Sequence, residues 1–94
     1  MKKLWSKDIS FLFKNAKRNQ NNNEILLILN KIELNKIENQ DYCLLDLNRV
    51  ETDLVEDFLT DLICEIGIGE DGEVNQTGRY IDDLIDVFNT RDSE

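Results

Sequence analysis

The stretch NRVETDLVEDFLTDLICEI, residues 48–66, is the most regular amphipathic segment of the sequence. Its apolar residues recur at three- and four-residue steps, which is the period of an α-helix with one buried face. Asn48 and Glu51 have the spacing of a capping box, which predicts the helix start. Gly67 follows the last apolar residue, so we expect it to take the left-handed C′ conformation, with Ile68 packing back onto the helix.

Two further helices are predicted before this segment, at residues 4–18 and at residues 24–37. Ser6 or Asp8 is a possible cap for the first of them. The isoleucines of the second helix also allow a strand over residues 27–32, although the spacing and length of the apolar pattern favour a helix. The apolar stripe of the first helix consists of Leu4, Trp5, Ile9, Leu12, Phe13 and Ala16.

The remaining segments are less regular. Residues 42–47 follow a polar break and fit either a short helix or an extended buried link. Further along, residues 69–78 form an acidic loop that contains glycine. A last amphipathic helix is predicted to begin near Asn75 or Thr77 and to end near residue 89.

These patterns predict the fold class. The chain contains no proline, and its four apolar stripes are joined by short polar turns. A small helical bundle is the most economical arrangement of such segments. We therefore predict an all-α fold of about four helices in a single domain, residues 1–94. Within that domain we expect an acidic lobe at residues 48–89 and a frayed tail at residues 90–94.

The net charge of −9 is distributed unevenly along the chain. Residues 1–40 contain eight lysines and arginines against four acids, whereas residues 41–94 contain three arginines against sixteen acids. Such an anionic half repels nucleic acid and anionic membranes and attracts basic proteins. We therefore expect a basic protein partner and no nucleic acid or membrane partner. A weaker alternative is nucleic-acid contact by the basic N-terminal stretch, with Trp5 and Phe11 as stacking groups.

Groups suited to catalysis are scarce in this sequence. There is no histidine, which removes the usual general base and the commonest transition-metal ligand. Cys43 and Cys64 cannot form a structural zinc site alone, and we expect both to be reduced and buried. The glycines lack the spacing of a phosphate-binding loop. We predict no enzyme activity, no catalytic residue and no cofactor.

A calcium site is also not predicted. Acidic and amide side chains alternate from Asp71 onward, as they do at the start of an EF-hand loop. Such a loop needs glycine at its sixth position and glutamate at its twelfth, where this chain has Gln76 and Asp82. We therefore predict no metal site.

The sequence indicates a cytoplasmic location. The start Met1-Lys2-Lys3 resembles the charged region of a signal peptide, but the following residues are not a continuous apolar run. The longest apolar run, residues 25–29, is too short to cross a bilayer.

The candidate site is an acidic surface on the C-terminal half of the chain. One interpretation is a solvated face that keeps a small protein in solution. The charge density is higher than solubility requires, and it lowers the stability of the fold through self-repulsion. We therefore favour the other interpretation, a docking face for a basic protein. An exposed aromatic side chain would anchor such an interface. The predicted toxin-binding residues, so named for the resemblance described next, are Asp57, Asp61, Glu65, Glu70, Asp71, Glu73, Tyr80, Asp83 and Asp86.

Residues 59–89, LTDLICEIGIGEDGEVNQTGRYIDDLIDVFN, carry a resemblance to known proteins. A helix, an acidic turn with glycines and the motif Gly-x-Tyr-Ile-Asp-Asp-Leu-Ile-Asp resemble the C-terminal part of small bacterial immunity proteins. Those families are paired with contact-dependent growth-inhibition toxins, Maf-type polymorphic toxins and colicins. The resemblance covers about a third of the chain. It implies a non-enzymatic cytosolic protein that binds a toxin domain, often a nuclease, and blocks it.

The sequence leaves four functions open. The first is an immunity protein that neutralises a cognate toxin through the acidic surface. The second is a phage-type acidic inhibitor or nucleic-acid mimic directed at a host nuclease. The third is a small regulatory adaptor that binds a basic helix in an apolar groove, and an exposed apolar patch would favour it. The fourth is a carboxylate enzyme, which would need a deep pocket with two close carboxylates.

Overall fold

The computed structural model describes residues 2–18 and 22–89. In chain order the elements are β1 (Lys3–Trp5), α1 (Ser6–Ala16), α2 (Asn23–Leu34), β2 (Tyr42–Leu44), α3 (Arg49–Ile66) and α4 (Gln76–Phe88). The chain divides into two compact units, Met1–Glu51 and Thr52–Glu94. We call them the first and the second unit, and α3 begins in one and continues in the other.

The fold is mainly helical but not all-α, and the prediction was wrong in that respect. The described residues contain the four expected helices, together with a two-stranded antiparallel sheet in which Leu4 lies opposite Cys43 and Trp5 opposite Tyr42. Side chains alternate between the faces of a strand, so Leu4 and Cys43 are buried while Trp5 is exposed.

The predicted helix at residues 4–18 is therefore too long at its start. Trp5 is the N-cap residue of α1 and its side chain makes no capping hydrogen bond, so neither Ser6 nor Asp8 is the N-cap that the sequence predicted. The backbone N–H of Ser6 instead donates to the carbonyl of Asp41 at 2.8 Å and continues the β1–β2 pairing. A strand of three residues has no periodicity of its own, which is why the helical pattern hid it.

The helix predicted at residues 24–37 is present as α2, and the alternative of a strand is wrong. It ends earlier than expected, at Leu34, because the chain then turns to pair with β2. Lys36 forms an isolated bridge with Cys43, and Ile37 donates its N–H to the carbonyl of Tyr42. Of the two possibilities for residues 42–47, the extended one is correct.

The first unit is built by packing α1 against α2 and each of them against the short sheet. Both helices are amphipathic, and their inner faces are aliphatic. The buried apolar residues of this unit are Leu4, Ile9, Leu12, Ala16, Ile25, Ile28, Leu29, Ile32, Cys43 and Leu45.

The start of α3 confirms the predicted capping box. The N–H of Glu51 donates to Oδ1 of Asn48 at 2.8 Å, and the N–H of Asn48 donates to Oε1 of Glu51 at 3.0 Å. Lys31 of α2 forms an ion pair with the same carboxylate at 2.8 Å. The Lys31 and Asn48 hydrogen bonds, the first being the larger cause, lower the pKa of Glu51.

The end of α3 does not follow the prediction. Gly67 does not have a positive φ, so no left-handed C′ residue ends this helix, and Ile68 pairs with Val74 instead of packing back. The need for glycine comes from a close backbone approach. A Cβ on Gly67 would lie 2.8 Å from Cα of Gly78, and a Cβ on Gly78 would overlap the Gly67 carbonyl oxygen.

Asn75 holds the α3–α4 turn together. Its backbone N–H donates to the carbonyl of Gly67 at 2.9 Å, and its Nδ2 donates to the carbonyl of Ile66 at 3.1 Å. Its Oδ1 accepts the N–H of Gly78 at 2.8 Å and caps α4, which confirms one of the two predicted helix starts.

The second unit has an aliphatic core completed by Phe88, which is 1% exposed. Its buried apolar residues are Val55, Leu59, Leu62, Ile81, Leu84 and Phe88. The predicted frayed tail, residues 90–94, lies outside the described residues. No helix in the described ranges combines the length and the hydropathy that crossing a bilayer requires.

The two cysteines differ in environment. Both are free thiols, and Cys43 is buried as predicted. Cys64 is exposed on α3, so the prediction that both are buried is wrong for this residue. Burial, and then the nearby Glu33 carboxylate, raise the pKa of the Cys43 thiol.

Candidate protein-binding surface

The predicted toxin-binding residues all lie in the second unit. Three of them, Asp57, Asp61 and Glu65, are on α3 and are exposed. They are spaced four residues apart, so they lie one above another on a single face of the helix. The sequence places them there because the opposite face of α3 carries the buried residues Val55, Leu59 and Leu62.

The next three acids lie in the turn between α3 and α4. Glu70, Asp71 and Glu73 are exposed within four residues of one another. The turn is ordered by backbone hydrogen bonds, because Gly69 donates to the carbonyl of Glu73 at 2.7 Å and Gly72 donates to that of Gly69 at 3.0 Å. Gly72 has a φ of 81°, which glycine adopts without strain. Oδ1 of Asp71 accepts the Glu73 N–H at 3.0 Å, so one carboxylate is fixed by the turn itself.

The last three candidates are on α4. Asp83 and Asp86 are exposed, while Tyr80 is half-buried. A half-buried tyrosine has part of its ring within the fold and part available to a partner. Phe88, the other aromatic residue of this helix, belongs to the core.

The charge balance of this region is extreme. Residues 52–89 contain eleven carboxylates and a single cation, Arg79. Most of these carboxylates therefore have no cationic partner within the same segment. The alternative arrangement, in which each acid is matched by a neighbouring lysine or arginine, is impossible by composition. The eight exposed carboxylates of the predicted site form three groups, one on α3, one in the turn and one on α4, and we call them together the acidic surface: Asp57, Asp61, Glu65, Glu70, Asp71, Glu73, Asp83 and Asp86.

The first unit contains two surface features that sequence reasoning missed. One is apolar: Leu27 and Leu34, seven residues apart on one face of α2, are 69% and 86% exposed. The other is a cleft lined by Trp5, Ser6, Lys7 and Asp41. The helical pattern of the sequence placed Leu27, Leu34 and Trp5 on the buried faces of helices. Nothing in the residues around Ser6 or Asp41 indicates that the two lie side by side.

Comparison with protein-family models, with curated proteins and with solved structures gives no match to this chain. The assignment of function therefore depends on the residues themselves and on the resemblance of residues 59–89.

Proposed function

We propose that this chain is an immunity protein that acts in the cytoplasm, binding a basic toxin domain and neutralising it without chemistry of its own. The toxin domain is most simply a nuclease, because a nuclease presents a cationic groove for phosphate groups. The observation that carries the proposal is the acidic surface, in which eight exposed carboxylates lie in a segment with a single cation.

The arrangement of these carboxylates suits rapid recognition of a cationic partner. Charges of one sign raise the association rate with an oppositely charged protein and disfavour partners of the same charge. The ordered turn at Glu70, Asp71 and Glu73 adds fixed positions to the helical row on α3. Tyr80 supplies an aromatic group on the same unit, of the kind that dominates interface energy when it becomes buried.

Co-expression with the product of the neighbouring gene tests the proposal. We expect the two proteins to co-purify and the co-expressed chain to protect cells from that product. The triple variant Asp57→Lys, Asp61→Lys, Glu65→Lys should slow association about tenfold at low salt, because steering charges act mainly on the association rate. It should also reduce the salt dependence of that rate.

The first unit offers a matched control. The triple variant Glu24→Lys, Glu33→Lys, Glu38→Lys changes the net charge equally, at three exposed positions outside the acidic surface. We expect it to retain most of the association rate. Equal losses in both variants would show that net charge alone matters and would remove the acidic surface as the site. Circular dichroism should first show that both variants keep their helical content.

The same charge logic fits a phage-type inhibitor or nucleic-acid mimic, and the identity of the neighbouring gene separates the two. A toxin gene immediately upstream supports the immunity protein. A nuclease of the host that binds the chain with no such gene nearby supports the inhibitor.

A regulatory adaptor is a further candidate, and the exposed Leu27 and Leu34 favour it. The adaptor would use this apolar face of α2 and not the acidic surface. The variant Leu27→Ser, Leu34→Ser should then abolish partner binding, whereas the triple variant of α3 should not. The immunity protein requires the opposite result.

A further inference from the structure

The turn between α3 and α4 exposes two neighbouring apolar side chains. Ile68 and Val74 form the isolated bridge at the base of this turn, and they are 40% and 47% exposed. The start of α4 holds Val74 in place, because its Cγ1 lies 2.7 Å from the point that a Cβ on Gly78 would occupy. Single exposed apolar residues are common on proteins, but this pair is paired by its backbone and fixed. We call Ile68 and Val74 the apolar pair.

The hydrogen bonds around the apolar pair define its geometry. The residue after each member donates its N–H to the carbonyl of the residue before the other member, at 2.7 and 2.9 Å. This is the pattern of a non-hydrogen-bonded antiparallel pair, in which the two side chains lie close together on one face. Ile68 and Val74 therefore direct their own N–H and C=O groups away from each other.

Those outward backbone groups are unpaired. Neither Ile68 nor Val74 forms a hydrogen bond of its own N–H or C=O with any residue in the ranges 2–18 and 22–89. Each side of the bridge is thus a short open strand edge next to an exposed apolar face. An extended chain that adds to such an edge gains main-chain hydrogen bonds and places alternate side chains on that face.

The charge of the turn selects the kind of chain that fits. Residues 67–78 contain three carboxylates, at Glu70, Asp71 and Glu73, and no lysine or arginine. All three are exposed in the loop that joins the members of the apolar pair. We infer that the turn binds an extended basic segment of a protein. The main chain of that segment pairs with one edge of the bridge, an apolar side chain covers the apolar pair, and lysines or arginines meet the loop carboxylates.

This inference rests on the proposed function, because the segment would belong to the basic partner proposed above. It adds a division of tasks within the interface. The carboxylates raise the association rate, since charges act over distance. The apolar pair slows dissociation, since its contact forms only after water has left the interface.

A titration of the full chain tests the turn without the natural partner. The probe is a short peptide of alternating lysine and valine, blocked at both ends, and the amide resonances of the labelled chain are followed by NMR. We expect saturable shifts at the amides of Ile68 and Val74. A peptide of alternating lysine and serine should bind at least about tenfold more weakly, because it keeps the charge and loses the apolar contact. A peptide of alternating glutamate and valine should not bind. No saturable shift up to millimolar peptide, or equal binding of the lysine–serine peptide, would overturn the inference.

Dissociation kinetics test the same turn in the natural complex, with the product of the neighbouring gene as the partner. Val74→Thr keeps a β-branched side chain, so the bridge should remain. It exchanges one methyl group for a hydroxyl and should raise the dissociation rate about fivefold. The association rate and its salt dependence should not change, because no charge is altered. Val50→Thr is the matched control, at an exposed valine of the first unit, and should leave both rates unchanged.

The outcomes separate this inference from the proposed function. If the partner binds but Val74→Thr and Val50→Thr dissociate alike, the inference is wrong and the proposed function stands. If the product of the neighbouring gene does not bind while the lysine–valine peptide does, the proposed function falls, and the turn still selects an extended basic segment of another protein.

Discussion

The two units use charge in opposite ways. The first unit contains nine lysines and arginines against seven acids, and it uses charge within its own structure, as in the ion pair that joins Lys31 to Glu51. The second unit contains two arginines against thirteen acids and exposes most of its carboxylates. The second unit therefore has far more acids than cations with which they could pair, and the proposed recognition of a basic partner depends on this excess.

The units also differ in what joins their elements. In the first unit, β1 pairs with residues about forty positions away, and two helices pack on the sheet. In the second unit, the helices are joined by a local turn in which Gly67 and Gly78 approach closely and Asn75 bonds to both sides. The second unit should therefore be the more sensitive to changes at a few turn residues.

The largest effect is expected for Gly67→Ala. The new Cβ would lie 2.8 Å from Cα of Gly78 and 2.9 Å from the carbonyl oxygen of Ile63, and both are backbone atoms with little freedom to move. We expect the free energy of unfolding to fall by about 3 kcal/mol, at the upper end of the usual cost of overpacking. Urea denaturation followed by circular dichroism measures it.

Gly72→Ala is the control for this variant. A Cβ at Gly72 meets nothing within 4 Å, so its cost comes only from the φ of 81°. That cost is about 1 kcal/mol. If Gly72→Ala were as destabilising as Gly67→Ala, the close approach of the two backbones would not be what holds the turn.

A smaller loss is expected for Asn75→Ala, which removes the cap of α4 and the bond to the Ile66 carbonyl. We expect about 2 kcal/mol for the two bonds together. Asn75→Asp keeps the acceptor for the Gly78 N–H and should cost about half as much.

Asn22 of the first unit provides the comparison. It is the N-cap residue of α2, but its side chain makes no capping hydrogen bond, and its Nδ2 instead donates to the carbonyl of Ala16 at 3.3 Å. Asn22→Ala should therefore cost about 1 kcal/mol, the usual net value of one hydrogen bond and about half of the loss at Asn75. A cost equal to that of Asn75→Ala would show that the two caps do not differ in the way the hydrogen bonds indicate.

The helix caps and the α3–α4 turn show which features the sequence can reveal. The caps at Asn48 and Asn75 are local patterns, and both were predictable from residues within a few positions of each other. The function of Gly67 was not, because a glycine at a helix end fits a left-handed C′ residue equally well. Glycine is needed at this position because the backbone of Gly78, eleven positions later, approaches too closely for a Cβ. No rule of sequence spacing links the two glycines.

Strands and surface sites likewise divide into features that neighbouring residues determine and features that depend on residues distant in sequence. The outward position of the acids on α3 follows from the amphipathic period and could be predicted. The strand β1 could not, because three residues are too few for a period and its partner Cys43 is distant in sequence. The cleft at Trp5 depends on that pairing, so it was hidden for the same reason.

Glu51 tests the use of charge in the first unit. Glu51→Gln keeps an oxygen for the Asn48 N–H but loses the charge that faces Lys31. Since both side chains are partly exposed, we expect a loss of only about 0.5 kcal/mol at pH 7. The structure lowers the pKa of Glu51, so its charged form stabilises the fold above the usual glutamate pKa of about 4.3, and this stabilisation is lost as the pH falls through the lowered pKa.

The difference between the wild-type chain and Glu51→Gln should therefore be present at pH 7 and disappear as the medium becomes strongly acidic. Stability curves at a series of pH values measure it. A difference that persisted in strong acid would come from packing of the side chain and not from its charge.

The smallest effect is expected for Asp61→Asn in the second unit. Unlike the variants above, it should raise the free energy of unfolding. Asp57 and Glu65 lie one helical turn away on either side, so neutralising Asp61 removes two repulsive neighbours. We expect the free energy of unfolding to rise by about 0.3 kcal/mol at low ionic strength. Salt at molar concentration should remove this gain, because it shortens the screening length to about 3 Å.

The sign is the informative part of this last measurement. If Asp61→Asn destabilised the chain as Glu51→Gln does, the carboxylates of α3 would be structural, and the acidic surface would lose its main argument. If it stabilises the chain, the wild-type residue is kept at a cost to the fold. The same variant should then bind the partner more weakly, which is the trade expected of a surface suited to recognition and not to stability.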